Sequence, residues 1–330
     1  MGVSIVVRCS RTVDRTPGVR GLPLLVVVGP TAVGKSAVAV ELAERLGGEV
    51  VCADSRTVYR GMDIGTAKPT AALRARVPHH LLDVADPAEV FTVWDFQRLA
   101  RQAIADIRTR GRVPILVGGT GLYVRAVVDG LRIPQVPPDW AARRAWEEQE
   151  RQQPGVLYRR LMELDPEAAS RIPPQNLRRV IRALEVVVHT GRPFSQLARR
   201  EAGEEAFQVG LTVDRMRLYE RISRRIQQQL AAGLVEEVRA LLARGVDPSK
   251  PAMQGLGYKE LVPYVLGQVG LEEAVRELER NTRRYAKRQW TWFRADPRVR
   301  WVDVDDLPPD AVSERVLEVL RAEGVALGLS

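Results

Sequence analysis

Cysteine and histidine are scarce in this sequence of 330 residues, which contains two and three of them, respectively. Cys9 and Cys52 have no Cys-x-x-Cys spacing and stand apart from any cluster of histidines. This pattern excludes both a zinc site of the usual spacing and a framework of disulfide bonds. The fold is therefore expected to depend on an apolar core, for which a hydrophobic content of 45% is sufficient.

Long apolar runs are also missing. No stretch approaches the roughly 18 consecutive apolar residues that a transmembrane helix needs. Residues 1–22 do not have the layout of a signal peptide, because their apolar run is short and their arginines follow it. We therefore expect a cytoplasmic protein without membrane contact, in which residues 1–22 are a disordered tail or reflect an upstream start.

Lysine is the third scarce residue. Five of the 50 basic side chains are lysine, so the formal net charge of +9 is carried overwhelmingly by arginine. Guanidinium groups favour planar, bidentate contacts with phosphate. A basic balance of this kind points to nucleic acid or another polyanion as a partner.

The strongest motif lies near the N-terminus. Five aliphatic residues at 24–28 predict a strand that is buried on both faces. The next segment has two glycines with four residues between them, then Lys and Ser, which is the pattern of a phosphate-binding loop. Its backbone N–H groups and the following helix N-terminus favour an anion. The predicted diphosphate-binding residues are Gly29, Pro30, Thr31, Ala32, Val33, Gly34, Lys35 and Ser36, with Ser36 as a ligand of Mg²⁺.

Further apolar segments predict a P-loop NTPase-like parallel α/β sheet, with strands at 49–53, 79–84, 113–117 and 206–213. Asp54 and Thr120 each follow a strand, at the edge where open α/β sheets bind ligands. The strand at 113–117 does not end in the magnesium-binding aspartate of most phosphate-loop NTPases, and the guanine-reading motif Asn-Lys-x-Asp is missing. These absences weigh against a motor, a GTPase and an ordinary ATPase.

The composition changes after Ile133, where prolines precede helical segments rich in Arg and Glu. We predict a helical insertion domain at 133–200 within a phosphate-loop core made of 23–132 and 201–330. The last long helix of this core repeats arginine at 280, 284 and 288, with aromatic residues nearby. Such basic ridges are typical of RNA-binding surfaces, although a solvated helix with core aromatics gives the same pattern.

These motifs together resemble the tRNA dimethylallyltransferases, or isopentenyl-diphosphate:tRNA transferases. The most specific stretch is Gly-Met-Asp-Ile-Gly-Thr-Ala-Lys-Pro at 61–69, and the similarity covers about 23–303 in the family's order. It is carried by segments 29–36, 54–55, 61–69, 78–83, 118–123, 178–185, 218–222, 257–260 and 286–289.

The resemblance implies transfer of a dimethylallyl group from dimethylallyl diphosphate to N6 of the adenosine 3′ of the anticodon, in tRNAs that read codons beginning with U. It implies a monomer, with catalytic roles for Asp54, for Ser36 with Mg²⁺, and for Thr120, Arg215 and Arg221. The residues implied to bind the anticodon stem-loop are Asp54, Ser55, Arg56, Thr57, Thr120, Arg143, Arg178, Arg179, Val180, Ile181, Arg182, Gln254, Gly255, Gly257, Tyr258, Lys259, Arg280, Arg284, Lys287 and Arg288.

Three alternatives stay open. One is a phosphate-loop nucleotide kinase, against which the missing strand-terminal aspartate argues. Another is an RNA-binding module whose phosphate loop senses a nucleotide. The third is an adenylate isopentenyltransferase that uses free AMP, against which the long basic C-terminal region argues, because a free nucleotide needs no such surface.

Overall fold

The computed structural model describes residues 23–197 and 202–325, and its centre is a six-stranded parallel sheet. The tail predicted at 1–22 lies outside the described residues. The strands are β1 (Leu24–Val28), β2 (Gly48–Cys52), β3 (His79–His80), β4 (Val113–Gly118), β5 (Ala206–Thr212) and β6 (Val299–Asp303). Their order is β3-β2-β4-β1-β5-β6. All residues of β1 are buried, as expected of a central strand that is covered on both faces. The predicted fold class is confirmed.

Helices cover both faces of the sheet. They are α1 (Lys35–Leu46), α2 (Ala71–Arg76), α3 (Val93–Thr109), α4 (Gly121–Val128), α5 (Trp140–Gln152), α6 (Val156–Leu164), α7 (Pro166–Arg171), α8 (Leu177–Thr190), α9 (Phe194–Leu197), α10 (Arg215–Ala231), α11 (Leu234–Ala243), α12 (Tyr258–Val265), α13 (Leu271–Arg294) and α14 (Pro309–Ala322). None of these helices has the length and apolar character of a bilayer-spanning segment within the described ranges.

Helices α5 to α9 form a unit with a core of its own. Leu157, Leu161 and Leu184 are fully buried there and belong to an apolar cluster separate from the two clusters that flank the sheet. The N-terminus of α5 is capped by Asp139, whose carboxylate accepts from two backbone N–H groups of the first turn. The helices α5 to α9 therefore bury their apolar faces against one another, and the remaining helices contribute apolar residues to the two clusters that flank the sheet.

Three elements differ from the predicted ones. β3 ends at His80, because Leu81 and Asp83 have left-handed backbones with φ of 65° and 58°, which an extended strand does not accommodate. β6 and α14 were not predicted. β6 extends the sheet beside β5, and α14 packs on α1 through a buried apolar stripe that includes Val316.

Two charged side chains, Glu237 and Lys68, stabilise the conformation of the segment 54–69. Glu237 of α11 accepts hydrogen bonds from three successive backbone N–H groups at 63–65, at 2.8, 2.8 and 3.0 Å. The buried Lys68 ammonium donates to the Asp63 and Asp83 carboxylates at 2.6 and 2.5 Å. Lys68 therefore stabilises its own loop and holds in place the chain that follows β2.

Replacing Glu237 by Gln should lower the free energy of unfolding by about 1–3 kcal/mol, because an amide presents one acceptor oxygen to these donors. Glu236→Gln is the matched control: its side chain is on the same helix and 68% exposed, and its loss should stay within about 0.5 kcal/mol. Denaturant unfolding of both variants measures the difference. Equal losses would contradict the role given to Glu237.

Candidate active site

The phosphate loop joins β1 to α1 at the carboxyl edge of the sheet. Gly29 has a φ of 143°, and a β-carbon at this position would lie 2.6 Å from the Leu211 carbonyl oxygen, so only glycine fits. Lys35 folds back across the loop, where its Nζ donates to the carbonyl groups of Gly29 and Pro30 at 3.0 and 2.7 Å. Lys35, which is predicted to bind phosphate, thus lies within the phosphate loop and is hydrogen-bonded to its backbone.

Two half-buried basic side chains, Lys35 and Arg225, face the space in front of this loop. Arg225 Nη1 donates to Thr31 Oγ1 at 3.3 Å. Burial lowers the pKa of Lys35 to about 7, with the Asp54 charge opposing this shift and the Arg225 charge adding to it. Burial also lowers the pKa of Arg225, again against Asp54. Because Asp54 is the carboxylate near both of these desolvated basic groups, an anionic ligand would favour their charged forms and would itself be stabilised here.

Two cavities meet in front of the phosphate loop. The inner cavity, of about 110 Å³, is lined by Lys35 and Ser36. The outer cavity, of about 350 Å³, extends to Arg178 of α8 and to the turn at 254–257. The two share the lining residues Thr31, Asp54, Thr66, Arg225 and Tyr285. The two cavities therefore adjoin between the phosphate loop and the basic surface, and Asp54 lines both of them.

Asp54 and Thr120 are held together by the loops after β2 and β4. The Ser55 N–H donates to Thr120 Oγ1 at 3.0 Å. Asp54 Oδ1 accepts from the Arg56 N–H at 2.8 Å, which fixes the orientation of the carboxylate. Burial raises the pKa of Tyr285 to about 12, against a smaller opposing effect of the nearby Thr120 side chain. A carboxylate and a hydroxyl from separate segments thus lie at the same edge of the sheet.

The arginine of α10 that lines the cavities is Arg225, a residue to which no sequence motif gave a role. Arg215 is exposed at the start of the helix, and the Arg221 charge acts on Asp306. Neither lines the two cavities in the described part of the chain. A signal was present, because Arg225 follows the buried Leu218 by seven residues and so shares its helix face.

The outer cavity brings together several segments of the predicted RNA-binding surface. They contribute Asp54, Ser55, Arg56, Arg178, Gln254, Gly255, Gly257, Lys259 and Arg288. Thr57 lines the inner cavity instead. Four further residues lie on exposed helix surfaces: Arg179, Arg280, Arg284 and Lys287.

Three predicted RNA contacts are buried, namely Val180, Ile181 and Tyr258, with exposed fractions of 1%, 3% and 0%. Val180 and Ile181 belong to the apolar core of the α5–α9 unit. The Tyr258 hydroxyl donates to Glu237 Oε1 at 2.6 Å. The prediction of direct side-chain contact is corrected here, since these residues support the surface from beneath.

Arg143 and Arg182 converge on Glu185, which is 3% exposed and was not among the predicted site residues. Arg143 binds both carboxylate oxygens, at 2.9 and 2.7 Å, and Arg182 Nη1 donates to Oε2 at 2.5 Å. Burial disfavours this carboxylate, but the two guanidinium groups outweigh it and lower the pKa of Glu185. Arg143 therefore ties α5 to α8 through Glu185, and Arg182 adds a contact to the same carboxylate from within α8.

A larger cavity, of about 890 Å³, lies between α4 and the C-terminal end of α13. It is lined by Trp292 and Phe293 and contains neither Asp54 nor any phosphate-loop residue. The volume of a cavity is thus a poorer guide to the site than the meeting of two basic side chains, a carboxylate and a hydroxyl.

Magnesium would find oxygen ligands in the inner cavity, where Ser36 lies with Asp54, Thr57 and Thr66. Mg²⁺ prefers hard oxygen ligands and usually keeps waters and substrate phosphate oxygens beside one or two carboxylates. No group of three or more His, Cys, Asp or Glu in the described ranges could hold a metal by itself. The donor set fits a Mg²⁺ ion that arrives with a phosphate ligand.

A parallel sheet with a phosphate loop after its central strand defines a phosphate-loop α/β protein. Family models described as IPP transferase and isopentenyl transferase match residues 57–296 and 22–78. A tRNA dimethylallyltransferase of Thermomicrobium roseum is 50% identical over 305 residues, which is 91% of this chain and 92% of the relative. A second, from Geobacillus thermodenitrificans, is 48% identical over 302 residues, or 90% and 95% of the two chains.

Solved structures agree. The tRNA isopentenylpyrophosphate transferase of Bacillus halodurans superposes with a TM-score of 0.68 at 45% identity, covering 91% of this chain and 96% of the other. A eukaryotic dimethylallyltransferase acting on tRNA gives a TM-score of 0.77 at 27% identity, with coverage of 92% and 80%. The chain belongs to the tRNA dimethylallyltransferase family, and the resemblance inferred from its motifs is confirmed.

When inorganic diphosphate binds at pH 8, Lys35 should take up nearly one proton. With a pKa of about 7, this side chain is mostly neutral at pH 8, and an adjacent anion raises its pKa. Calorimetry in buffers of different ionisation enthalpy gives the proton uptake. Lys35→Met is the control, because the titration of the ligand cancels between the two proteins.

At pH 6 the difference in proton uptake between wild type and Lys35→Met should become small, since Lys35 is then already protonated in the ligand-free protein. Equal uptake by the two proteins at pH 8 would contradict a neutral Lys35 in the free enzyme.

Proposed function

We propose that this protein transfers the dimethylallyl group of dimethylallyl diphosphate to N6 of the adenosine 3′ of the anticodon, in tRNAs that read codons beginning with U, and releases diphosphate. The observation that carries the proposal is the pair of adjoining cavities between the phosphate loop and the basic surface, both of which are lined by Asp54. A donor diphosphate in the inner cavity and an acceptor base in the outer cavity would both lie beside this carboxylate.

The chemistry needs a base beside a weak nucleophile. N6 of adenine attacks C1 of the dimethylallyl group, the C1–O bond breaks, and its electron pair leaves with the diphosphate. Asp54, whose carboxylate is oriented by the Arg56 N–H, accepts the proton from N6. A base without an amino group at this place leaves Asp54 without its hydrogen bond, which favours adenine over guanine and uracil.

The leaving group requires stabilisation of the negative charge that develops on it. Lys35 and Arg225 are already desolvated at the phosphate loop, where their attraction to that charge is stronger than in water. Arg225 therefore takes the role that the family resemblance assigned to Arg215 and Arg221. Thr120, next to Asp54, adds a hydroxyl group to the same region.

Mg²⁺, held through Ser36 and the diphosphate oxygens, would neutralise part of the leaving-group charge. The support for this assignment is the oxygen-lined inner cavity. The protein groups still do the orienting, because the loop backbone, Lys35 and Arg225 contact the donor without the ion.

RNA is proposed to approach through the outer cavity. The adenosine must leave its stack to reach Asp54, at a cost of a few kcal/mol. Arg178 lines the cavity from the α5–α9 unit, and Lys259 and Arg288 line it from the core, so cations are present on two sides of the entering strand. We assign residues 133–200 as an insertion domain that helps to hold the anticodon stem-loop, and we propose a cytoplasmic monomer.

The function is tested by incubating the protein with dimethylallyl diphosphate and an unmodified anticodon stem-loop, followed by nucleoside mass analysis. The expected product is N6-dimethylallyl adenosine at the position 3′ of the anticodon, with one diphosphate released per transfer. AMP offered in place of the stem-loop should be unmodified. Modification of AMP alone would favour an adenylate isopentenyltransferase instead.

Asp54→Ala and Asp54→Asn should each reduce transfer by about 10²–10⁴-fold, because neither side chain can accept the proton from N6. Diphosphate affinity should survive, since the donor is held by the phosphate loop. Single-turnover transfer and diphosphate binding are measured on the same preparations. Near-normal transfer by Asp54→Asn would remove Asp54 as the base.

The basic face of α13 should matter for RNA and little for the donor. Arg284 and Arg288 lie one turn apart, and among the described residues neither forms a salt bridge, whereas Arg280 pairs with Glu277. Replacing both by Gln should weaken stem-loop binding and reduce its salt dependence by up to about one unit of slope per lost phosphate contact.

A double variant, Arg300→Gln with Arg321→Gln, removes the same charge from β6 and α14, where these side chains pair with Glu323 and Glu314. It should leave the salt slope nearly unchanged. Stem-loop affinity at several salt concentrations and donor affinity are both measured. If the α13 variant loses donor binding and keeps its salt slope, this helix face does not bind RNA.

A further inference from the structure

Helix α13 places one buried side-chain amide, that of Gln289, between the loop after β1 and the loop after β4. Gln289 is 5% exposed and lines the inner cavity. Its Oε1 accepts from the Thr31 N–H at 2.8 Å, and its Nε2 donates to the Gly119 carbonyl at 2.9 Å. The acceptor end of the amide holds the loop after β1, and the donor end holds the loop after β4.

The contact is as close as the backbone allows. A β-carbon at Gly119 would lie 2.1 Å from Gln289 Nε2, and one at Gly118 would lie 1.9 Å from the Ala53 carbonyl oxygen. The loop after β4 therefore touches Gln289 on one side and the chain that leads into Asp54 on the other. The three loops that carry the phosphate site, Thr120 and Asp54 are joined in series.

This arrangement sets a distance that the reaction depends on. Direct displacement needs the nucleophile and C1 about 3–3.5 Å apart and in line with the leaving oxygen, and a misplacement of about 1 Å costs about 10²-fold in rate. Building on the proposed function, we propose that Gln289 is a positioning residue for prenyl transfer. Gln289 fixes the phosphate loop at 29–36 relative to the loops that carry Asp54 and Thr120. The Thr31 N–H donates to Gln289 for this purpose and is not used to bind phosphate.

The test compares two substitutions of similar size. Gln289→Met keeps the volume but makes neither hydrogen bond, so kcat with both substrates saturating should fall about 10- to 100-fold. The affinities for inorganic diphosphate and for the stem-loop should each stay within about threefold, because those contacts come from other residues. A loss of affinity with kcat unchanged would overturn the proposal.

Gln289→Glu gives the sharper readout. A protonated carboxyl group repeats the amide pattern, with one oxygen that accepts from Thr31 and one O–H that donates to Gly119, whereas a carboxylate cannot donate. Burial and the facing carbonyl raise the pKa of the introduced carboxyl group. The ratio of Gln289→Glu to wild-type kcat should therefore rise as the pH falls from about 8.5 to 6. The ratio for Gln289→Met should stay flat, because titrations common to both proteins cancel.

A pH-independent ratio for Gln289→Glu, or wild-type kcat in Gln289→Met, would show that the amide is not needed for positioning. Absence of transfer by the wild-type enzyme would instead refute the proposed function, so the two failures are distinguishable. Should Gln289→Met unfold, the Gly119→Ala variant in the wild-type and Gln289→Ala backgrounds replaces it. The loss in kcat caused by Gly119→Ala should be smaller in the Gln289→Ala background, where the clashing amide is gone. Equal losses in the two backgrounds would contradict the positioning role of Gln289.

Discussion

Two desolvated basic side chains beside one nearby carboxylate are the constraint on which the active site depends. Burying a charge is costly unless it is paired, and Lys35 and Arg225 share Asp54 as their nearby carboxylate. Lys35 covers part of this cost by donating to the carbonyl groups of its own loop. The remaining imbalance favours an anion of high charge density. A diphosphate that leaves as chemistry proceeds is such an anion, and its charge grows as the C–O bond breaks.

The parallel sheet makes this concentration of charge possible. The carboxyl ends of β1, β2 and β4 are neighbours in the sheet order, so loops that are far apart in sequence meet at one edge. Helix α13 then crosses that edge. Within about one turn it supplies Tyr285 to both cavities, Arg288 to the outer cavity, and Gln289 to the phosphate loop. A single rigid helix thus spans the proposed RNA side and the donor side.

Local patterns gave the phosphate loop, the central strand and the positions of Asp54 and Thr120, because each depends on a short segment and on the known chemistry of strand ends. Predictions that depended on burial fared worse. Tyr258 and Val180 lie in motifs of the family, but tertiary packing turns their side chains inward. β3 stops early because Leu81 leaves the extended region, which no propensity of that short segment indicates.

Partners distant in sequence could not be predicted at all. Glu237 binds a loop about 170 residues before it, and Gln289 reaches back to Thr31 over 258 positions. Arg225 was not predicted either, although its helical phase relative to Leu218 places it on the inward face. A charged residue in a predicted apolar stripe is therefore the signal most worth reading in such a chain.

The most direct test of the account is a crystal structure with diphosphate and an unmodified anticodon stem-loop bound together. The expected result is a diphosphate in contact with Lys35 and Arg225, and an extruded adenine whose N6 lies within hydrogen-bond distance of the Asp54 carboxylate. An adenine seated instead in the cavity beside Trp292, or a diphosphate away from the loop at 29–36, would contradict it.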